Sequence, residues 1–306
     1  MHKNRLLIVG CGDVMRRALP WLTRRFRVYA LSRSAATAAS LRALGVVPVS
    51  GDLDQPHTLR RLAGLATYVL HSAPPPAAGA DDPRTRRLLA ALSNGGILPR
   101  GVVYISTSGV YGDRQGGWVA ETQPLHAESD RAQRRIAAEQ RMRRFGRHSA
   151  RVAILRAPGI YAADRLPVER LRTGAPALID ADDGYSNHIH ADDLASLCIA
   201  SLQQHRGGIR VFNACDQEPL TITDWYRLLA DALALPLPPQ LPRAEVQAAV
   251  SPELWSYMAE SRRFRHQRLH ELGVTLRYPT AREFVAQLAA NPAWQAVALA
   301  KAGKIR

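Results

Sequence analysis

The sequence predicts an α/β protein with a Rossmann-like, doubly wound parallel sheet and a smaller, mostly helical C-terminal lobe. Short apolar segments alternate with helical patterns five times before residue 110, and the connections are short. This alternation is typical of parallel strands joined by right-handed crossover helices. The first apolar segment, residues 6–9, leads directly into a glycine turn and a helix start. Beyond residue 215 the pattern is mainly helical.

The glycine turn consists of Gly10 and Gly12, and a helical pattern opens at Asp13. A strand, a tight glycine turn and a helix N-terminus together form the usual pyrophosphate site of a dinucleotide, because backbone N–H groups and the helix dipole favour negative charge there. Met15 stands where the fingerprint has its third glycine. Because that glycine normally allows close packing of helix on strand, Met15 predicts a wider gap between the two or a shifted helix. We expect dinucleotide binding, and the alternative is an ordinary βα turn.

The second strand, residues 27–31, ends in Ser32, Arg33 and Ser34. A site for NAD usually has an acidic residue here for the ribose 2′-hydroxyl, whereas an arginine with small hydroxyls suits the 2′-phosphate of NADP. No acidic residue is present, so we expect NADP(H), with NAD(H) as the alternative. Arg33 is otherwise an ordinary surface arginine.

The remaining segments of the first half follow the same alternation. Asp52, after the third strand, is expected to accept from the adenine amino group while Leu53 packs on the ring. Alternatively, Asp52 only begins the next turn. The fourth strand ends in His71, Ser72, Ala73 and three prolines, an extended loop expected over the cofactor crevice. Further strands are expected at 46–49, 67–70 and 102–106, and helices at 13–23 with a kink or stop at Pro20, 35–44, 55–63 and 83–92.

The second half carries fewer strands. We expect Ser129 to cap a helix over 130–145 that Gly146 can end, and Thr221 to cap another to about 233. The other expected elements are strands at 151–155 and 211–213, loops at 115–124 and 235–242, helices at 194–203, 262–272 and 280–290, and a loosely held tail at 291–306.

Length and composition suit one Rossmann domain with a lobe. The expected division is a dinucleotide-binding domain at 1–160, completed by about 186–214, and a substrate lobe at 161–185 and 215–306. No apolar run approaches the ~18 residues that cross a membrane, so we expect a soluble, cytoplasmic protein. The three cysteines, Cys11, Cys198 and Cys215, have no metal-binding or disulfide spacing.

The formal net charge is +15, and all but three of the 41 basic residues are arginine. They are densest between Arg131 and Arg151. Clustered arginines neutralise phosphates in nucleic-acid complexes. No aromatic-interleaved basic stripe or known nucleic-acid motif accompanies them, so we expect a solvated helix face and no nucleic-acid partner.

Four ordered motifs resemble the extended short-chain dehydrogenases, the NAD(P)-dependent epimerase/dehydratase family. They are the G-x-G start, Ser-Thr-Ser-Gly-Val-Tyr-Gly at 106–112, Arg-Ala-Pro-Gly-Ile-Tyr at 156–161 and His-Ile-His-Ala-Asp-Asp-Leu at 188–194. The similarity extends over about residues 5–215, and a weaker similarity is present around 262–285. The resemblance implies a Rossmann domain whose small C-terminal lobe closes over the substrate. It also implies helix pairing in a homodimer, although a monomer is equally compatible.

The resemblance also implies a catalytic Ser/Thr, Tyr and Lys. The Ser/Thr position is Thr107. With Glu139 as anchor, the Tyr and Lys positions hold Arg131 and Arg135, so this chain is similar to an atypical subgroup. In the family the Tyr exchanges the proton and the Lys holds the ribose. Arginine stays protonated near neutral pH and cannot exchange that proton.

Another proton donor is therefore needed if chemistry occurs. Tyr111 is the first candidate, and Tyr161, His71 and His188 are others, each with a structural role as the alternative. Arg131 is expected to clamp an anionic substrate group and Arg135 the ribose, or both form a solvated helix face. The expected cofactor contacts are Gly10, Gly12, Asp13, Val14, Ser32, Arg33, Ser34, Asp52, Leu53, His71, Ser72, Ala73 and Pro158.

His188 and His190 would share one face of a strand, with Asp192 and Asp193 behind them. That spacing suggests a metal. The resemblance instead implies that this stretch leads into a helix and that an Asp caps the helix. No third His or Cys is clustered here to complete a metal site. We expect no metal. The leading hypothesis is an NADP(H)-dependent oxidoreductase of the epimerase/dehydratase type acting on a small polar substrate, and the alternative is a catalytically silent NADP(H)-sensing protein.

Overall fold

The computed structural model describes residues 3–148, 150–204 and 207–300. The strands are β1 (Arg5–Val9), β2 (Arg27–Ser32), β3 (Val47–Ser50), β4 (Tyr68–His71), β5 (Gly101–Thr107), β6 (Trp118–Val119), β7 (Arg151–Ala157), β8 (Gly159–Tyr161), β9 (Ala177–Leu178), β10 (Tyr185–Ser186), β11 (His188–His190), β12 (Ile209–Asn213), β13 (Leu220–Thr221), β14 (Gln240–Leu241) and β15 (Arg263–Phe264).

The α-helices are α1 (Asp13–Arg25), α2 (Ala35–Ala43), α3 (Pro83–Ser93), α4 (Asp130–His148), α5 (Val168–Arg172), α6 (Ala191–Gln203), α7 (Ile222–Leu233), α8 (Arg243–Ala249), α9 (Pro252–Met258), α10 (Ala281–Ala289) and α11 (Pro292–Ala300). Short 3-10 helices lie at Pro56–Leu62, Ser108–Tyr111, Ala163–Arg165, Asp180–Asp182 and Leu269–Leu272.

Seven strands form one sheet in the order β12-β7-β5-β4-β1-β2-β3. Every neighbouring pair is parallel, which confirms the predicted Rossmann-like α/β fold. The order reverses between β1 and β4, and ligands of such sheets bind outside the carboxyl ends of the strands at this switch point. The β3 edge of the sheet contains Pro48.

Both faces of the sheet are covered, which is why its strands are continuous apolar runs. In β1, Leu6 and Ile8 pack into a core with residues of α1, α2 and α6. The alternate residues, Leu7 and Val9, pack into a second core with residues of α3 and α4. All four side chains are fully buried, and each such burial contributes on the order of 1.5–3 kcal/mol.

A third core joins the helices of the C-terminal part of the chain. Trp225 of α7, Phe284 of α10 and Trp294 of α11 belong to it, and the rings of Phe284 and Trp294 stack at 5.9 Å. The prediction of a loose tail is therefore wrong for residues 292–300, since α11 is docked through its tryptophan. Residues 301–306 lie outside the described residues. The division of the chain at residue 160 stays a prediction.

Two predicted helix ends are wrong. Pro20 neither ends nor shortens α1, which continues to Arg25; Pro20 is exposed, so its ring lies outside the core and only one helix bond is lost. Gly146 lies inside α4. A Cβ there would lie 2.8 Å from Cγ2 of Val152 and 3.0 Å from Cγ1 of Ile209, so the glycine permits close packing of helix on sheet.

Three further differences concern segments without strong periodicity. The helix predicted at 55–63 is the 3-10 helix Pro56–Leu62. The helix predicted at 262–272 is instead β15, followed by a 3-10 turn, because Arg263 and Phe264 pair with β6. Helices α8 and α9 were not predicted. No helix among the described residues is long and apolar enough to cross a membrane.

Candidate functional site

The turn between β1 and α1 is shaped by its two glycines. Gly10 has a φ of +91°, and a Cβ there would lie 2.7 Å from Cα of Ala73. Gly10 is thus required for the close approach of β1 to the end of β4. A Cβ on Gly12, in contrast, would have no described atom within 4 Å. Gly12 is the N-cap of α1 and supplies no side-chain cap, and a helix N-terminus of this kind favours negative charge.

Asp13 and Val14 lie in the first turn of α1 and line this space. The Asp13 carboxylate is held by two arginines, Arg17 at 3.2 Å and Arg165 at 3.1 Å. Arg17 also binds Asp164 at 2.5 Å and Asp192 at 3.0 Å. The start of α1 is thereby fixed to the segment after β8 and to the start of α6.

The adenosine end of the expected site is a separate depression of about 460 Å³. It is lined by the predicted Gly10, Ser32, Arg33, Ser34, Asp52, Leu53 and Ala73. Ser34 caps α2 by accepting from the N–H of Thr37, and Asp52 accepts from the N–H of Asp54. The guanidinium of Arg33 is exposed at the rim. The geometry brings these predicted residues together at the carboxyl ends of β2 and β3.

Arg84 also lines the adenosine end, and no motif in the sequence had pointed to it. It lies in the first turn of α3, donates to Asp54 at 2.5 and 2.9 Å, and reaches the carbonyls of Pro74 and Pro75. It therefore fixes the proline loop against the depression.

In the described chain, the side chain of His71 lines neither the adenosine depression nor the cleft described below. Its predicted contact with the cofactor is therefore wrong as far as the side chain is concerned. The imidazole is buried, and its Nε2 lies 2.9 Å from Oγ1 of Thr85. Burial lowers the pKa of His71 to about 4, so the ring is neutral near pH 7. The following residue, Ser72, does line the cleft, and its hydroxyl donates to the carbonyl of Gly10 at 2.5 Å.

The second space is a cleft of about 580 Å³ between the carboxyl ends of β1, β5 and β7 and the C-terminal helices. Thr107, Arg131, Arg135 and Pro158 line it, as predicted from the sequence. Oγ1 of Thr107 accepts weakly from the N–H of Gly109, at 3.4 Å. The expected nicotinamide end of the dinucleotide site and the expected substrate side chains therefore share one cavity.

The two arginines of α4 are held differently. Arg135 donates from Nη1 to the hydroxyl of Tyr104 at 3.0 Å and to the carbonyl of Ile105 at 3.1 Å. Arg131 stacks its guanidinium 4.2 Å from the ring centre of Tyr257 on α9. Both face the cleft, so the interpretation of a purely solvated helix face is wrong for this end of α4.

Tyr111 is not at the edge of the cleft, so its predicted role as proton donor is wrong. Its ring is fully buried, and its hydroxyl donates to Oδ1 of Asn213 at 2.7 Å and accepts from Nη1 of Arg156 at 2.7 Å. Burial raises the pKa of Tyr111 to about 12. The hydroxyl is thus occupied within the fold.

A buried ion pair supports the strand ends beneath the cleft. Glu139 and Arg156 are 0% and 1% exposed, and they form two bonds of 2.7 and 3.0 Å. Glu139 also accepts from Ser106 at 2.7 Å. The pair joins α4 to β5 and β7 just below Thr107. In the sequence, this ion pair is indicated only by an acidic residue on a helix and an arginine at the end of an apolar strand.

The opposite wall of the cleft comes from the C-terminal helices and is largely aromatic and apolar. Its members are Ile222, Trp225, Tyr226, Leu254, Tyr257 and Met258, with Tyr185 at the rim. Arg262 lies at its base, bound to Glu260 at 2.6 Å. No motif in the sequence identified this wall, since its residues are spread over three separate segments.

His188 and His190 lie in β11 and are buried. His190 caps α6 by accepting from the N–H of Asp192, so the expected Asp cap is wrong; Asp193 instead accepts from the N–H groups of Arg277 and Tyr278. His188 lines the cleft, and its Nδ1 has no partner among the described residues. Those residues contain no His, Cys, Asp and Glu cluster able to hold a metal.

Comparison with known proteins bears directly on this architecture. The sequence model of the NAD dependent epimerase/dehydratase family matches residues 21–215, more than half of the chain. The chain belongs to this family. A solved structure of a functionally unknown conserved protein from Silicibacter pomeroyi is 30% identical, with a TM-score of 0.76, and the match covers 94% of this chain and 99% of that one. No curated protein matches the sequence.

More distant members of the epimerase/dehydratase fold were solved with ligands. Human epimerase family protein SDR39U1, with NADPH, has 17% identity and a TM-score of 0.75, and the match covers 94% of this chain and 99% of that one. MoeE5, in complex with UDP-glucose and NAD, has 20% identity and a TM-score of 0.74, covering 96% of this chain and 99% of that one. At these identities the likeness concerns the fold alone.

Proposed function

We propose that this member of the epimerase/dehydratase family is an NADP(H)-dependent oxidoreductase acting on a small polar substrate. The observation that carries the proposal is the open space at Gly12, at the start of α1, where an added Cβ would have no described atom within 4 Å. The residues that line the two spaces extend from Gly10 and Gly12 to Arg33 in one direction and to Thr107 in the other. The positions of these residues support a dinucleotide that extends from one space to the other.

In this proposal the diphosphate binds at Gly12 and the first turn of α1. The adenine packs near Leu53 with its amino group at Asp52, and the 2′-phosphate binds Arg33 beside Ser34. The nicotinamide end lies by Ser72, Pro158 and Arg135, which donates to the ribose. Structures of other members hold NAD or NADPH, so the preference for NADP(H) depends on Arg33 and on the absence of an acidic residue from 32–34.

A bound nicotinamide would supply or accept a hydride, and the accompanying proton would be exchanged with solvent. Thr107 would orient the reacting oxygen, and His188, neutral because burial lowers its pKa to about 4, would form part of the cleft wall. Arg131 stands in the usual Tyr position and cannot exchange the proton, because arginine stays protonated near neutral pH. A positioned acid or base contributes ~10²–10⁴ in rate, so we expect slow turnover.

Calorimetric titration with NADPH and NADH tests the cofactor assignment. We expect NADPH to bind more tightly, and Arg33→Ala to weaken NADPH by about 10- to 100-fold while changing NADH little, because one charge-assisted contact is lost. Arg42→Ala is the matched control, because Arg42 is an exposed arginine in the last turn of α2, the helix that follows Arg33. Equal affinities unaffected by Arg33→Ala would reject the NADP(H) preference, and no binding of either nucleotide would reject the function.

A catalytically silent NADP(H)-sensing protein is the second candidate. It is favoured by Arg131 and Arg135 at the Tyr and Lys positions and by the occupied hydroxyl of Tyr111. Tight NADPH binding without hydride exchange on a panel of carbonyl compounds would support it, and turnover that Thr107→Ala abolishes would exclude it. A small-molecule substrate, a cytoplasmic location, the absence of a nucleic-acid partner, and a monomer or homodimer stay predictions.

A further inference from the structure

Most charged side chains that line the cleft are neutralised by a neighbour. Arg165 binds Asp13 at 3.1 Å, and Arg262 binds Glu260 at 2.6 Å. Among the charged side chains lining the cleft in the described ranges, only Arg131 and Arg135 have no carboxylate partner. The cleft therefore holds two uncompensated positive charges, both on α4.

These two guanidiniums lie one helical turn apart, where like charges repel each other. Arg135 is committed to the hydroxyl of Tyr104 and the carbonyl of Ile105. Among the residues that the structure describes, Arg131 contacts the ring of Tyr257 and has no hydrogen-bond acceptor, which leaves the N–H edge of its planar guanidinium for another acceptor. An oxyanion at Arg131 would relieve the repulsion and match the two-donor geometry of the guanidinium.

The wall facing Arg131 fixes the character of the rest of the ligand. Trp225, Tyr226 and Met258 are buried and line the cleft from α7 and α9. Leu254 extends the same surface toward Tyr257. Aromatic and apolar walls of this kind bind flat or apolar molecules, and a few polar groups fix their orientation.

We propose that the substrate is a small molecule with a single carboxylate and an apolar, ring-like body. The carboxylate binds Arg131 and the body packs against the wall formed by Trp225, Tyr226, Leu254 and Met258. This assignment rests on the proposed function, since the reacting carbon must lie next to the nicotinamide and Thr107. Arg131 is the residue that selects for negative charge.

Two observations argue against a nucleotide diphosphate sugar in this cleft. The cations on the C-terminal side, Arg165 and Arg262, are already paired, so that side offers no uncompensated charge to a pyrophosphate. The cleft of about 580 Å³ must also hold the nicotinamide and its ribose. Ligand sites of ~300–1,000 Å³ hold one drug-sized molecule, so the space left suits a single ring.

The test uses full-length protein, with and without saturating NADP⁺, in calorimetric titrations with matched probes. The probes are benzoate and phenylacetate, their neutral amides, phenyl phosphate and UDP-glucose. We expect at least one carboxylate to bind ten-fold or more tightly than its amide. Arg131→Ala should remove this preference, weakening the carboxylate by about 10- to 100-fold with little effect on the amide. Arg131→Lys should recover part of it, because the charge returns without the planar fork.

Arg144→Ala is the matched control, since Arg144 is exposed further along the same helix, and it should leave every affinity within about two-fold. The proposal is overturned if no carboxylate binds, if acid and amide bind equally, or if Arg131→Ala changes nothing. Tighter binding of phenyl phosphate or UDP-glucose than of either carboxylate would also overturn it. The separate NADPH titration reports on the proposed function, so the two failures are distinguishable.

Discussion

Replacing Glu139 with glutamine would leave the guanidinium of Arg156 charged and unpaired in the core. Glu139 is fully buried and supplies both carboxylate oxygens to Arg156. Breaking a buried pair from one side costs about 3–5 kcal/mol. For a chain of 306 residues the entropy of unfolding at the midpoint is about 0.6 kcal/mol/K, so Glu139→Gln should lower Tm by roughly 5–8 °C.

The assay is thermal unfolding at pH 7, followed by circular dichroism. Asp81→Asn is the matched control, because Asp81 binds Arg141 of the same helix at 2.7 Å but is 51% exposed. That pair should contribute less than about 1 kcal/mol. The double variant Glu139→Gln/Arg156→Met should be more stable than the sum of the single changes predicts, since it buries no unpaired charge. Additive effects, or a Glu139→Gln Tm equal to that of the control, would refute the reasoning.

Three more outcomes are expected. Gly10→Ala should destabilise the fold, because its Cβ would meet Ala73 and φ is +91°, whereas Gly12→Ala should leave Tm unchanged and weaken NADPH binding measured by calorimetry; equal Tm losses would contradict this. Burial raises the pKa of Cys11 to about 11, so iodoacetamide at pH 8 should alkylate it about 100-fold more slowly than in urea, by mass spectrometry; equal rates would count against it. The pKa of His71 is lowered to about 4, so its contribution to the free energy of unfolding is complete above pH ~6.5 and is lost as the pH falls toward 4. Between pH 7 and pH 5 the free energy of unfolding, measured with urea, should therefore fall by about 2 kcal/mol less for His71→Asn than for the native chain. Equal losses in the two proteins would disprove this.

The strands of the main sheet were predictable because burial on both faces makes them continuous apolar runs. The segments at 6–9 and 102–106 lie within the observed β1 and β5. Segments whose conformation depends on distant partners were not predictable. Arg263 and Phe264 become a strand because β6, more than 140 residues earlier, supplies their partners.

The candidate site was predictable where local backbone chemistry determines it. The glycine turn needs only a strand, two glycines and a helix start, and all three are adjacent in the sequence. The orientation of a side chain was not predictable in the same way. Tyr111 follows the correct strand, but its hydroxyl points to Asn213, which lies 102 positions later. The aromatic wall was likewise not predictable, since Trp225 and Tyr257 lie on separate helices and neither belongs to a motif.

The proline in β3 has a consequence for crowded solutions. β3 is one of the two outermost strands, and its backbone spans only four residues. Pro48 has no amide hydrogen, so this border offers an incomplete ladder to a strand from another molecule. Extension of the sheet from one copy into the next is therefore disfavoured on this side, which lowers the tendency of the chain to aggregate through its β3 edge.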